Sequence, residues 1–166
     1  MLRATRSGSL LCGIFAAIIL AVLAGWISVQ AADPSPKSIK SGVVSFDDAK
    51  KTHEGNWGEL RGYFTGDTLG TKDVLTGVAV IKPGEAIHRP HRHVDEEYFI
   101  ITVGSGTWLL EGKEFLAKQG DILYVEPWVY HGLKNTGTTP LTCVVVKYTC
   151  KGIALPPRPN NRPDEP

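Results

Sequence analysis

Residues 83–104 read PGEAIHRPHRHVDEEYFIITVG, and this stretch decides how the rest of the chain is read. His91 and His93 stand two apart and Glu97 follows four later. In an extended chain side chains alternate between faces, so these three share parity and can point the same way from one strand edge. On a helix the two-apart pair would diverge. His131 lies 34 residues beyond Glu97, so another strand must fold back to bring it to the same place. Three neutral imidazoles and one carboxylate suit a divalent transition metal such as Mn, Fe, Ni, Co, Cu or Zn, and the affinity order alone does not choose among them. The expected metal ligands are therefore His91, His93, Glu97 and His131.

Read as His, any residue, His, three residues, Glu, six residues and Gly104, this stretch resembles the first motif of the cupin superfamily. The later stretch GDILYVEPWVYHGLKN resembles the second, with Gly120, Pro127, His131 and Asn135, and 15 residues separate Gly104 from Gly120. The resemblance covers residues 76–148. Two departures concern loop shape rather than the ligand set: Gly84 stands seven residues before His91 where the family has six, and Pro127 comes one residue late, with Val129 where the family usually has Gly. The resemblance implies an all-β jelly roll, the double-stranded β-helix barrel, and a metal-dependent enzyme of dioxygenase or oxalate-converting type.

Outward from these motifs the chain reads as short runs of β-branched and aromatic residues at 60–64, 76–81, 97–103, 106–110, 114–117, 121–125, 129–133 and 141–148. Gly- and Pro-containing breaks such as KPGEA, VGSG, EGK and KQGD separate them, the pattern of a sandwich or barrel. A strand set of this kind hides its edges by rolling two antiparallel sheets together. With Glu97 inward, Phe99, Ile101 and Val103 share its face; with His131 inward, Val129 and Leu133 do. The last run, LTCVVVKY, is apolar on both faces except for Lys147. Placing that lysine in water turns Val144, Val146 and Tyr148 to the core and makes Tyr148 a pocket candidate, the alternative being simple edge packing. His88 and Arg89, beside the histidine pair, are further pocket candidates. Residues 47–53, DDAKKTH, suit a helical turn or a charged loop, and His53 is given no role.

The ends differ from the middle. Residues 1–9 carry Arg3 and Arg6 and no acid, residues 10–27 are almost wholly apolar, and Val29 and Ala31 stand at the positions of a small-residue cleavage site. Residues 1–31 therefore read as a signal peptide of an exported, periplasmic or secreted protein. A retained anchor in the cell envelope is the alternative, since 18 apolar residues are long enough to span. Residues 32–42 read as a linker, 43–155 as the barrel domain, and the Pro-rich 156–166 as a disordered tail or an arm on a neighbour. Cleavage removes two of the 18 basic residues and none of the 17 acidic ones, leaving a formal charge of −1. No basic patch calls for nucleic acid, and none of the mature chain calls for a membrane, so a small-molecule partner is expected.

Cys143 and Cys150 on one extended strand would lie roughly 23 Å apart, too far to pair within a chain. Either Cys143 is a core thiol or Cys150 bridges subunits. Sheet edges must be paired, covered or charged, which points to a homodimer or, alternatively, to a monomer blunted by Lys113, Lys118, Lys134 and Lys147. Besides the oxidoreductase reading, a lyase, isomerase or hydrolase using the ion as Lewis acid, and a non-enzymatic binding protein of the envelope, fit the same residues.

Overall fold

The computed structural model describes residues 38–160, and the expected signal peptide, most of the linker and the last six residues lie outside them. Nine strands follow in chain order: β1 (Lys50–Gly55), β2 (Gly58–Gly66), β3 (Thr71–Ile81), β4 (Glu96–Val103), β5 (Ser105–Leu110), β6 (Lys113–Lys118), β7 (Ile122–Val125), β8 (His131–Lys134) and β9 (Leu141–Cys150). No helix occurs among the described residues, and none there is long and apolar enough to cross a membrane. The strands form a six-stranded sheet, β1-β2-β3-β9-β4-β7, and a three-stranded sheet, β6-β5-β8, all paired antiparallel. This is the expected all-β jelly roll.

The alternation in β4 builds the core. Glu97, Phe99 and Ile101 are buried while Tyr98 and Ile100 are only partly covered. Beside them on the same sheet, β9 contributes Leu141, Cys143 and Val145 and β3 contributes Ala79 and Ile81, while Trp108 and Leu133 face them from the other sheet. The Phe99 and Trp108 rings meet at 5.4 Å between centroids and tie the two layers together. Val103 leaves this face: a register shift between Ile101 and Val103 turns it out, 51% exposed, against the simple parity expectation. Gly104 then turns the chain at φ 80°, where a Cβ would come within 2.7 Å of the Pro140 carbonyl oxygen. Only glycine fits so tight a passage.

Residues 50–55 form a strand rather than a helical turn or loop. Every residue of β1 is exposed, so it has no buried face and leaves no two-residue period to read. Its support is charge: Lys51 pairs with Glu54 at 3.0 Å and with Glu59 of β2 at 2.8 Å.

The last strand faces the other way from the expectation. Lys147 lies in register with Glu97 on one side and Leu75 on the other, on the inner face with Val145. Tyr148 is opposite Glu96 on the outer face, and Val144 and Val146 join it there. The lysine tolerates the inner face because its Nζ reaches Asp95 Oδ2 at 3.2 Å. Nor does Lys147 blunt an edge, since β9 is central; Lys113, Lys118 and Lys134 do sit on edge strands. Cys143 is buried, and both Cys143 and Cys150 are free.

Asn135 staples the end of the barrel. Fully buried, it donates from Nδ2 to the carbonyls of Ile81 at 2.8 Å and Thr139 at 2.9 Å, and its Oδ1 accepts from Gly137 N at 2.9 Å. The described part of the Pro-rich tail touches its own chain: Trp128 Nε1 donates to the Pro156 carbonyl at 2.7 Å, and the Arg158 guanidinium lies 6.0 Å from the Trp128 ring centre.

Candidate metal centre

Two backbone features deliver the histidines. His131 opens β8, and an isolated bridge binds it to His91, each N–H donating to the other's carbonyl at 2.9 Å. His93 follows on the same loop, whose carbonyl accepts from Trp128 N at 2.7 Å. The three rings form a nearly equilateral triangle, with centroids 5.2, 4.9 and 5.0 Å apart. One ligating atom from each of His91, His93 and His131 lies within 4.8 Å of the others, so the three can hold a metal ion.

Glu97 completes the cluster from the second position of β4. Its Oε2 lies 3.1 Å from both His93 Nε2 and His131 Nε2. The opposite ring nitrogens face backbone carbonyls: His131 Nδ1 is 2.8 Å from Val129 O, and His93 Nδ1 is 3.1 Å from Asp95 O. A ring nitrogen facing a carbonyl carries the proton, so in the neutral ring Nε2 presents a lone pair. Two lone pairs and one carboxylate oxygen thus converge, which repels unless a cation or extra protons lie among them. The carbonyl acceptors are the orienting partners that metal-bound imidazoles use. His91 Nδ1 is buried without a hydrogen-bond partner. The residues fit a divalent transition metal.

The electrostatics favour the unprotonated donors such an ion needs. Burial acts to raise the Glu97 pKa, but in the metal-free protein, where protons lie between the Nε2 atoms and the carboxylate, hydrogen bonds from His131 and His93 outweigh it and hold the carboxyl at about 2. Burial, aided by the neighbouring His88, His131 and His93, lowers His91 to about 4. Burial pushes the Cys143 thiol up to about 12, so it is an inert core group rather than a nucleophile.

His91, His93 and Glu97 line a cavity of about 640 Å³. Of the pocket candidates, Phe99 and His88 line it. Ile101 is core, Leu133 borders a second, smaller cavity, and Val129 a third. Tyr148 on the outer face and the exposed Arg89 line none of these cavities. The remaining walls were not apparent from the sequence: Trp57, Leu75, Ile87 and Val145 supply apolar surface, while His53, Asp73 and Lys147 supply polar groups. The equal-parity rule applied along β9 from Cys143 and Val145 would have found Lys147.

A double-sheet barrel with three convergent histidines beside a largely apolar cavity defines a class of small metal-competent β-barrel proteins. Residues 77–147 match the family model described as cupin domain, and the chain belongs to the cupin superfamily. It is 30% identical over 95 residues to protein SchB of Streptomyces halstedii, an alignment covering 57% of this chain and 68% of that one. It is similar to 5-nitrosalicylic acid 1,2-dioxygenase of a Bradyrhizobium species, 33% identical over 43% of this chain and 36% of that one. It is also similar to the dimethylsulfoniopropionate lyase DddW of Ruegeria pomeroyi, 31% identical over 46% of this chain and 51% of that one. The chain therefore spans only about a third to a half of these two enzymes. Among solved structures, an RmlC-like cupin from Shewanella frigidimarina superposes with a TM-score of 0.55 at 13% identity, covering 68% of this chain and 95% of that one.

Proposed function

We propose that His91, His93, Glu97 and His131 together hold one divalent transition metal and that the protein is a metal-dependent cupin oxidoreductase acting on a small organic molecule in the adjoining cavity. The observation that carries this reading is the convergence of Glu97 Oε2 with two imidazole Nε2 atoms at 3.1 Å, each imidazole anchored through Nδ1 to a carbonyl. Such an ion supplies Lewis acidity and, if redox-active, electron transfer to a bound substrate. The chain's own contribution is to fix the donors and shield them from bulk water. Glu97, 6% exposed, and His131, 0% exposed, stand on paired strands, and Glu97, His91 and His93 line the cavity.

The dioxygenase relative supports an oxygen-dependent reaction, and the lyase relative supports the second reading, Lewis-acid elimination. Metal analysis followed by oxygen uptake with small acids and phenols separates them: uptake dependent on metal favours the oxidoreductase, product formation without uptake favours the lyase, and neither reaction in the loaded protein leaves the binding-protein role.

Two further parts of the proposal concern the whole chain. The protein is exported and cleaved after Ala31, supported by the Arg3 and Arg6 start, the apolar run and the small-residue flank. Mass spectrometry of the envelope fraction tests this, and an intact Met1 terminus in the membrane pellet would establish the anchor instead. The protein also forms a homodimer through the outer face of the six-stranded sheet, where Val78, Ile100, Val144 and Val146 adjoin the stacked Tyr98 and Tyr124 rings, 4.7 Å apart. An apolar sheet face of this kind marks an association surface.

A further inference from the structure

Lys147 is the one lysine or arginine among the residues lining the metal-centre cavity. It stands on the inner face of a central strand, where a lysine has no edge to protect. Its cross-strand partner is Glu97, and cross-strand partners on one sheet face have Cβ atoms about 4.5–5.5 Å apart. Glu97 nevertheless turns its carboxylate to the imidazoles, and Lys147 makes its ion pair with Asp95 instead, at 3.2 Å. That bond uses one of the three ammonium donors. Two remain, on a side chain still 31% exposed and bordering the cavity.

Holding Asp95, whose Oδ2 also lies 3.6 Å from His93 Nδ1, occupies only one of the ammonium donors and leaves the others to the cavity. The cation is useful where it is if an anion enters the cavity. The walls say what kind. Trp57, Leu75, Ile87 and Phe99 are apolar, which suits a hydrocarbon or aromatic body. Asp73 in the lining and Asp95 beside Lys147 disfavour more than one negative charge, and so phosphates and sulfates.

We infer that Lys147 is a specificity-determining residue that binds the carboxylate of a small organic acid carrying a second oxygen on a neighbouring carbon, a 2-oxo acid, a 2-hydroxy acid or an ortho-hydroxy aromatic acid. The inference rests on the metal reading of the His91, His93, Glu97 and His131 cluster, since the second oxygen of such acids is what a metal centre binds. It adds the anion site that the donor cluster does not supply. A lysine serves as a point charge here, and its two free donors match a carboxylate.

The test is calorimetric binding to manganese-loaded protein of three acid and amide pairs: pyruvate and pyruvamide, glycolate and glycolamide, salicylate and salicylamide. Metal content is measured on every sample. For at least one pair the acid should bind the wild type about 10-fold or more tightly than the amide, as expected for a charge-assisted contact. Lys147→Met and Lys147→Gln should erase that difference with metal content unchanged, and Lys147→Arg should restore most of it. Wild-type protein that takes up none of manganese, iron, cobalt, nickel, copper and zinc overturns the metal reading and this one with it, and protein that refuses manganese but takes another of these ions is assayed loaded with that ion. Loaded wild type with no acid preference, a preference surviving in Lys147→Met, or loss of metal in both neutral variants while Lys147→Arg keeps it, overturns this inference alone; the last result would make Lys147 a structural part of the centre.

Discussion

Glu97 sets the behaviour of the centre because it is buried and charged at once. Its carboxyl is held at about 2 against an ordinary 4.5, so the stability it contributes is complete above about pH 4.5 and is lost as pH falls toward 2. His91 acts in the same direction from a different cause. Its folded value is near 4 against an ordinary 6.5, so the unfolded chain takes up a proton that the folded chain resists, and the cost grows as pH falls from 6.5 to about 4. Metal-free protein should accordingly lose melting temperature on acidification across this whole range, read by circular dichroism. His91→Asn should flatten the upper part of the profile, between 6.5 and about 4, and leave the lower part. A flat profile in wild-type protein would contradict the assigned environments of both groups.

Elements place these residues, and they differ in how plainly the sequence announces them. The β4 alternation is clean, so the inward set Glu97, Phe99 and Ile101 could be read directly, up to the register shift that turns Val103 out. For β8 only the spacing of the second motif pointed to His131, because HGLK is four residues long, too short to show a period. β1 has no apolar face and left no signal. β9 misled because Val144, Val145 and Val146 are apolar on both faces, and the single lysine was assigned to water when Asp95 in fact holds it inside. The cavity walls Trp57 and Ile87 lie outside any strand, where periodicity says nothing about direction. Asn135 was legible as part of a motif, but its work is at the element scale: it closes the turn after β8 and grips the end of β3. Replacing it with Ala strips buried carbonyls and an amide of their partners and should cost about 1–3 kcal/mol in urea unfolding. Unchanged stability of Asn135→Ala would show that the turn holds without its staple.

On the scale of the whole molecule the two faces of the larger sheet have separate tasks. The inner face carries the core and the cavity; the outer face carries an apolar field ending at β7, where Ile122 is 65% exposed. An edge strand with such a residue invites pairing by another chain. Light scattering of the mature protein should give twice the chain mass at micromolar concentration, and Ile122→Lys should shift it toward the monomer without loss of metal. A monomeric wild type would mean that the lysines of β6 and β8, together with the charges of β1, suffice to protect the edges.

The functional reading depends on the histidine and glutamate cluster holding an ion, and metal stoichiometry by inductively coupled plasma mass spectrometry addresses that claim directly. Wild-type protein, dialysed against chelator-free buffer after loading, should carry about one divalent transition metal per chain, and the His91→Ala, His93→Ala double variant should carry almost none, since losing two of four donors removes most of the affinity. Equal metal content in the folded double variant and the wild type would contradict the account.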